Sequence, residues 1–168
     1  MIKVNIEKNN KDFQILKNQE VLIRGIKPKW YSSQINFFFN SRTYQIKKKS
    51  LWSSSFNIFQ GSKIVGVFNY KWKTGGYSLS LNDSKKLYTL SQSNTGGMWR
   101  IEKLYTLLED GIKPVLSIKY SYKKWKENIE IHKIDLSDSS LDLIIYGLFI
   151  MRRLQSAESA GSGIGVYG

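Results

Sequence analysis

Cysteine is missing from all 168 residues. Its absence removes disulfides, thiolate nucleophiles and cysteine-based metal sites together. Histidine occurs once, as His132. A nucleophilic triad needs a histidine poised beside a Ser or Cys, and a zinc site needs several spaced nitrogen or sulfur ligands. His132 alternates with Ile129 and Ile131, so the expected reading is a solvated imidazole on the polar side of a strand. No metal and no cofactor are expected. Proline is scarce, and no Pro- or Gly-rich linker divides the chain, so a single domain over residues 1–155 is expected. Carboxylates are also few: 13 Asp+Glu stand against 26 Lys+Arg, for a net charge of +13. No apolar run approaches the roughly 18–20 residues needed to cross a bilayer. The opening MIKVNIEKNNKDF lacks the apolar core of about 7–15 residues that a secretory signal carries, and a cytoplasmic location is expected.

What is present is alternation. Ile2, Val4 and Ile6 alternate with polar residues, and a polar link containing Asn9 and Asn10 follows, then Phe13, Ile15 and Leu16. Val21–Ile26 is β-prone, Pro28 interrupts it, and Ile35–Asn40 and Arg42–Lys47 meet at Asn40-Ser41. Ser55–Gln60 and Lys63–Lys71 flank Gly61-Ser62, the pattern of a hairpin. In its second arm Ile64, Gly66, Phe68 and Tyr70 are predicted to share one face. Tyr77, Leu79 and Leu81 alternate with Ser78 and Ser80, then Asn82-Asp83-Ser84 turns the chain. Lys86–Ser91, Met98–Leu107, Val115–Lys123 and the Ile129/Ile131 stretch complete the series. Turn signals about every 8–12 residues indicate an all-β sandwich or barrel, here of ten to twelve strands.

One segment breaks the pattern. Leu141–Leu154 contains Leu143–Met151 without a charge, so a helix there is apolar all round and must be enclosed. Strands precede it almost throughout. The fold class expected is therefore mainly β, a closed antiparallel barrel of about twelve strands around a C-terminal hydrophobic central helix. That helix is predicted over residues 139–154, with Ser139 and Asp142 as a capping-box-like start. Asp138 and Asp142 suit the positive end of its dipole, and Arg152 and Arg153 the negative end. Residues 156–168 read as a Gly/Ser-rich tail, with a last strand near Ile164–Tyr167 the weaker alternative.

Carboxylate pairs could in principle serve a small hydrolase, but Glu109-Asp110 and Glu127 with Glu130 cluster poorly. Asp135, Asp138 and Asp142 lack the spacing and glycine of a calcium loop. Gly161, Gly163 and Gly165 follow a helix instead of leading from a strand into one, so they are no phosphate loop. The signal that stays is basic and aromatic: Lys47, Lys48 and Lys49; Lys71, Trp72 and Lys73; Lys123, Lys124, Trp125 and Lys126. Such groups attract anionic surfaces, either lipid headgroups with Trp as an interfacial anchor or single-stranded nucleic acid. The plain counter-reading is a solubilising rim, since Lys protects strand edges and aromatics are common in strands.

The hairpin Phe56–Phe68, the strand Val115–Tyr122 and the terminal capped segment Asp138–Arg153 together resemble the Tubby C-terminal-like superfamily, especially its LURP-one-related and phospholipid-scramblase-like branches. The likeness covers about residues 20–155 and is an order of elements, not a catalytic string. A fluorescent-protein-type can also encloses a helix, but in mid-chain. The resemblance implies a twelve-stranded barrel threaded by its last helix, in a family that includes phosphoinositide-binding modules. No residue of the Tubby lipid-binding cluster aligns individually here, so the ten positions above rest on charge density. Without cysteine there is no palmitoylation, and transport is not expected. The function expected is a non-enzymatic, cytoplasmic module for anionic phospholipid headgroups or another anionic surface, with a peripheral place at the membrane as an option. Single-stranded nucleic-acid binding and a paired-carboxylate hydrolase are the alternatives.

Overall fold

A computed structural model describes residues 2–6, 12–26, 34–71, 73, 76–94, 101–123, 126–133 and 142–161. Its elements are β1 (Ile2–Ile6), β2 (Asp12–Lys17), β3 (Glu20–Ile26), β4 (Ile35–Phe39), β5 (Arg42–Lys48), β6 (Phe56–Gln60), β7 (Lys63–Lys71), β8 (Gly76–Leu81), β9 (Leu87–Asn94), β10 (Ile101–Glu109), β11 (Lys113–Lys123), β12 (Lys126–Lys133) and α1 (Asp142–Gly161). Each strand pairs antiparallel with the next, and β1 pairs with β12 (Ile2 opposite Ile131), so the sheet closes on itself. Closure leaves no sheet edge to template aggregation.

Helix α1 is inside this cylinder. Every side chain from Leu143 to Met151, bar the glycine, is buried, and a helix buried on every side can only be enclosed. Tyr146 meets Phe37 of β4 and Phe68 of β7 edge-on, and Phe149 meets Phe56 of β6. On the opposite wall Gly147 faces β11 so closely that an added Cβ would stand 2.9 Å from Leu116 Cδ2 and 3.2 Å from Ile118 Cδ1. Gly147 therefore lets one wall approach the helix while bulky rings fill the other.

The two ends of the barrel differ in how the chain reverses. At one, the turn end, the links are short. Asn18-Gln19 and Asn40-Ser41 both hold positive φ at two successive residues, as type I′ hairpins require. At the other, the loop end, most connections are longer, with two residues between β11 and β12 as the exception. Because β12 finishes at the turn end, α1 enters there and runs toward the loop end, where Arg152 reaches Glu127 at the start of β12 and Glu158 reaches Lys103 near the start of β10.

Three hairpins at the turn end carry a bulge: β2/β3, β6/β7 and β10/β11. In each, the third residue of the second strand is skipped by the pairing: Leu22, Val65 and Val115. Each extra side chain packs into the core, so both it and its successor point inward. The bulge corrects the predicted face of β7. Gly66, Phe68 and Tyr70 do share the inner row, but Ile64 is thrown outward and is 38% exposed, with Val65 in its place.

The helix also differs from its predicted span. It continues past residue 154 to Gly161, so residues 156–161 are helical and not tail; residues 139–141 and 162–168 lie outside the described residues. With the helix longer, Arg152 and Arg153 sit in mid-helix, no basic residue occupies the last turn, and the dipole does not account for them. Asp142 does occupy the first turn, as expected. Among the described residues no helix is long and apolar enough to cross a membrane.

Candidate functional site: a basic rim at the loop end

Strand parity decides where each lysine goes. On β5, Tyr44 and Ile46 belong to the core, so Lys48 continues the inner row to the barrel mouth, opposite Phe56, while Lys47 points out. The Lys47 ammonium lies 4.5 Å from the Phe59 ring centroid on the outer wall, a cation–π contact. Lys49 follows at once, its N–H donating to the Ser55 carbonyl at 3.0 Å. On β7 the inner row ends in Tyr70, so Lys71 faces outward, and Lys73 lies just past the strand. One strand, β6, separates the two groups, placing β5 and β7 about 10 Å apart. These lysines make no ion pair among the described residues.

Two arginines of α1 rise into the same mouth and behave differently. Arg152 is held by Glu127 through two hydrogen bonds of 2.5 and 2.6 Å, and also donates to Gln155 Oε1 at 3.2 Å. Arg153 lies over the Phe56 ring, 5.2 Å from its centroid, and its buried Nε has no hydrogen-bond partner among the described residues. Phe56 is thus flanked by Lys48 across the strand pair and by Arg153 from below. The rim carboxylates are engaged: Glu127 by Arg152, and Glu158 by Lys103 and by Gln92 Nε2 at 2.9 Å. Those bonds hold the Glu158 carboxyl below the ordinary glutamate range, Lys103 contributing most. Positive charge is left in excess on the β5–β7 sector.

Not every predicted position joins that sector. Lys123 ends β11 at the same end of the barrel, but four strands away from β7. Only the backbone of Lys126 is described, and Trp72, Lys124 and Trp125 lie outside the described residues.

The carboxylates considered for acid–base chemistry are dispersed. Glu109, at the turn end, pairs with Lys86 at 3.1 Å. Glu130 faces outward and accepts from Asn128 at 3.0 Å. Asp135 and Asp138 lie outside the described residues. At the turn end Asp142 accepts a hydrogen bond from Tyr146, and burial pushes its carboxyl above the ordinary aspartate range. Tyr105, fully buried in the waist, is pushed up to about 12 by burial. His132 is exposed, as expected, with Glu130 4.0 Å away. No group of three His, Cys, Asp or Glu side chains that could hold a metal occurs among the described residues.

Three residues escaped the reading of the sequence. Arg153 was assigned to the helix dipole, and only the true helix length and its place over Phe56 free it for another role. Leu51 and Trp52 follow the lysine run and are the most exposed large apolar side chains among the described residues, at 89% and 95%. An apolar pair inside a polar turn was the available signal for them. Comparison of the chain with protein-family models, curated proteins and solved structures returns no match.

Proposed function

We propose that this barrel is a non-enzymatic module that binds anionic phospholipid headgroups through its loop end, with kinship to the Tubby-like barrels. The observation that carries the reading is the gathering of Lys47, Lys48, Lys49, Lys71 and Lys73 on one sector of a single rim. The Arg153 guanidinium, stacked on Phe56 and without an ion pair among the described residues, lies at the same end. Lysines close to an anionic bilayer contribute about 1 kcal/mol each, so a handful suffices for reversible binding without any deep pocket. Lysines without an ion pair among the described residues, beside Glu127 and Glu158 that are already engaged, favour phosphate-bearing partners over neutral ones. The closed barrel around a last helix supports the kinship.

Vesicle sedimentation tests the reading. The protein should pellet with phosphatidylcholine vesicles containing phosphatidylserine, stay in solution with pure phosphatidylcholine, and release as salt is added. Equal pelleting with both vesicles, or with neither, refutes it.

A further inference from the structure

The connection between β5 and β6 is a hydrogen-bonded projection. The Lys49 N–H donates to the Ser55 carbonyl at 3.0 Å and closes its base. At its tip the Ser53 N–H donates to the Ser50 carbonyl at 3.2 Å, making a β-turn whose two central residues are Leu51 and Trp52. The Ser55 N–H donates to Ser53 Oγ at 3.0 Å, tying the returning arm. Neither central residue serves the turn itself. Such positions favour Gly, Pro, Asn, Asp or Ser, and positive φ, which would need a special residue, is not found at either.

Leu51 and Trp52 therefore stand almost wholly in water, 89% and 95% exposed, on a backbone pinned at three points. Exposed single apolar residues are ordinary. Two adjacent large ones at the tip of a braced turn, directly after three lysines, call for an occupant. The charge beside them selects it: Lys48 and Lys49 are exposed and unpaired among the described residues.

The opposite end offers the contrast. Ile112 is 85% exposed there, but it stands between Glu109-Asp110 and Lys113, with Lys86 paired to Glu109, so charges of both signs surround it and no purely basic run adjoins it. Phe38 and Ile26, each 54% exposed, lie on the outer wall of β3 and β4 with Arg24 opposite Phe38 in the pairing, and they form no projection.

We infer that the Leu51-Trp52 turn inserts into the headgroup–acyl boundary of an anionic membrane, while Lys48 and Lys49 stay at the phosphates. This rests on the headgroup reading above and adds the part of the molecule that enters the lipid. Trp suits that boundary because its ring is apolar and its N–H is polar. A braced turn loses little conformational freedom on insertion. The same geometry sets the orientation: the barrel axis stands with the loop end down, and the turn end faces away from the bilayer.

The absence of native cysteine allows a single reporter. Ser50→Cys, carrying an environment-sensitive fluorophore, places a probe beside the intact pair; Ile112→Cys places one at the far end. With phosphatidylserine-containing vesicles the Ser50→Cys probe should shift to the blue and be quenched by lipids spin-labelled in the acyl chain, and the Ile112→Cys probe should not change. The double variant Leu51→Ser with Trp52→Ser, at two side chains that hold nothing in the fold, should lose at least about tenfold in vesicle affinity. Pelleting with no shift at Ser50→Cys overturns the insertion and leaves the headgroup reading standing; no pelleting at all overturns both. A shift that grows with protein concentration without vesicles, or that appears only with a single-stranded oligonucleotide, assigns the pair to self-association or to base stacking and also overturns the insertion.

Discussion

Follow the inward rows of the strands to either end of the barrel and they finish in different chemistry. At the turn end bulges add Leu22, Val65 and Val115 to the apolar side chains already facing in, while Glu109 lies opposite buried Tyr88 and pairs with Lys86. At the loop end the rings of Phe56 and Tyr70 share the inner rows with Lys48, Gln92, Lys103 and Glu127, and the helix meets them with Arg152, Arg153 and Glu158. The helix brings Arg152, Arg153 and Glu158 to the loop end and Asp142 alone to the turn end. The outer rims repeat the difference. At the turn end lysines and carboxylates are mixed, as in Lys86 with Glu109, whereas the β5–β7 sector of the loop end carries lysines alone. A barrel that needed only solubility would have no reason to treat its ends so differently.

The largest expected effect comes from the waist that both ends share. Phe68 packs against Tyr146 at 5.9 Å and Phe149 at 4.9 Å between ring centroids. Phe68→Ala should cost about 3–5 kcal/mol in urea denaturation, while Lys71→Ala, three residues along the same strand, should change stability by less than about 0.5 kcal/mol. Equal costs would mean that the helix does not lean on β7.

Charge reversal separates the rims next. Lys48→Glu with Lys49→Glu should lower affinity for phosphatidylserine-containing vesicles by at least about tenfold. Lys63→Glu with Lys85→Glu alters net charge equally at the turn end and should leave binding nearly intact. Matching losses would reduce the site to net charge.

The helix ends should then respond to pH with opposite sign. Asp142 is raised by burial, so its contribution is fully present below the ordinary aspartate value and is lost as pH rises through the raised one. Asp142→Asn should raise the urea midpoint at neutral pH and remove that part of the decline. Glu158 is lowered by Lys103 and Gln92, so its contribution is present above the ordinary glutamate value and is lost as pH falls through the lowered one. Glu158→Gln should give the smallest effect, a slight fall in the midpoint at neutral pH that vanishes on acidification, because the carboxylate is about half exposed.

Much of this architecture was legible beforehand. Period-two alternation and regularly spaced turns require strands, and a charge-free helix requires an enclosure that only those strands could supply. Ile64 shows where such reading stops: a bulge inserts one residue, parity slips, and nothing local in Lys63-Ile64-Val65 announces it. Residues 156–161 show the converse. Ser and Gly there suggest a tail, but Glu158 bonded to Lys103 and Gln92 holds the helix to the rim for another turn and more. The lysines of the site were chosen by density, and density cannot tell β7 from β11.

What the chain settles by itself is the kind of each segment and the need to close, because backbone alternation and uncompensated apolar surface are local properties of the sequence. Only the folded molecule decides which charges share a surface. Lys49 and Lys71 become neighbours because a single strand stands between theirs, Glu127 takes Arg152 while Arg153 stacks on Phe56, and Trp52 stands in water because hydrogen bonds lift its turn clear of the barrel. Pairing, register and ion-pair competition act between residues far apart in the chain, and the order of amino acids does not display them.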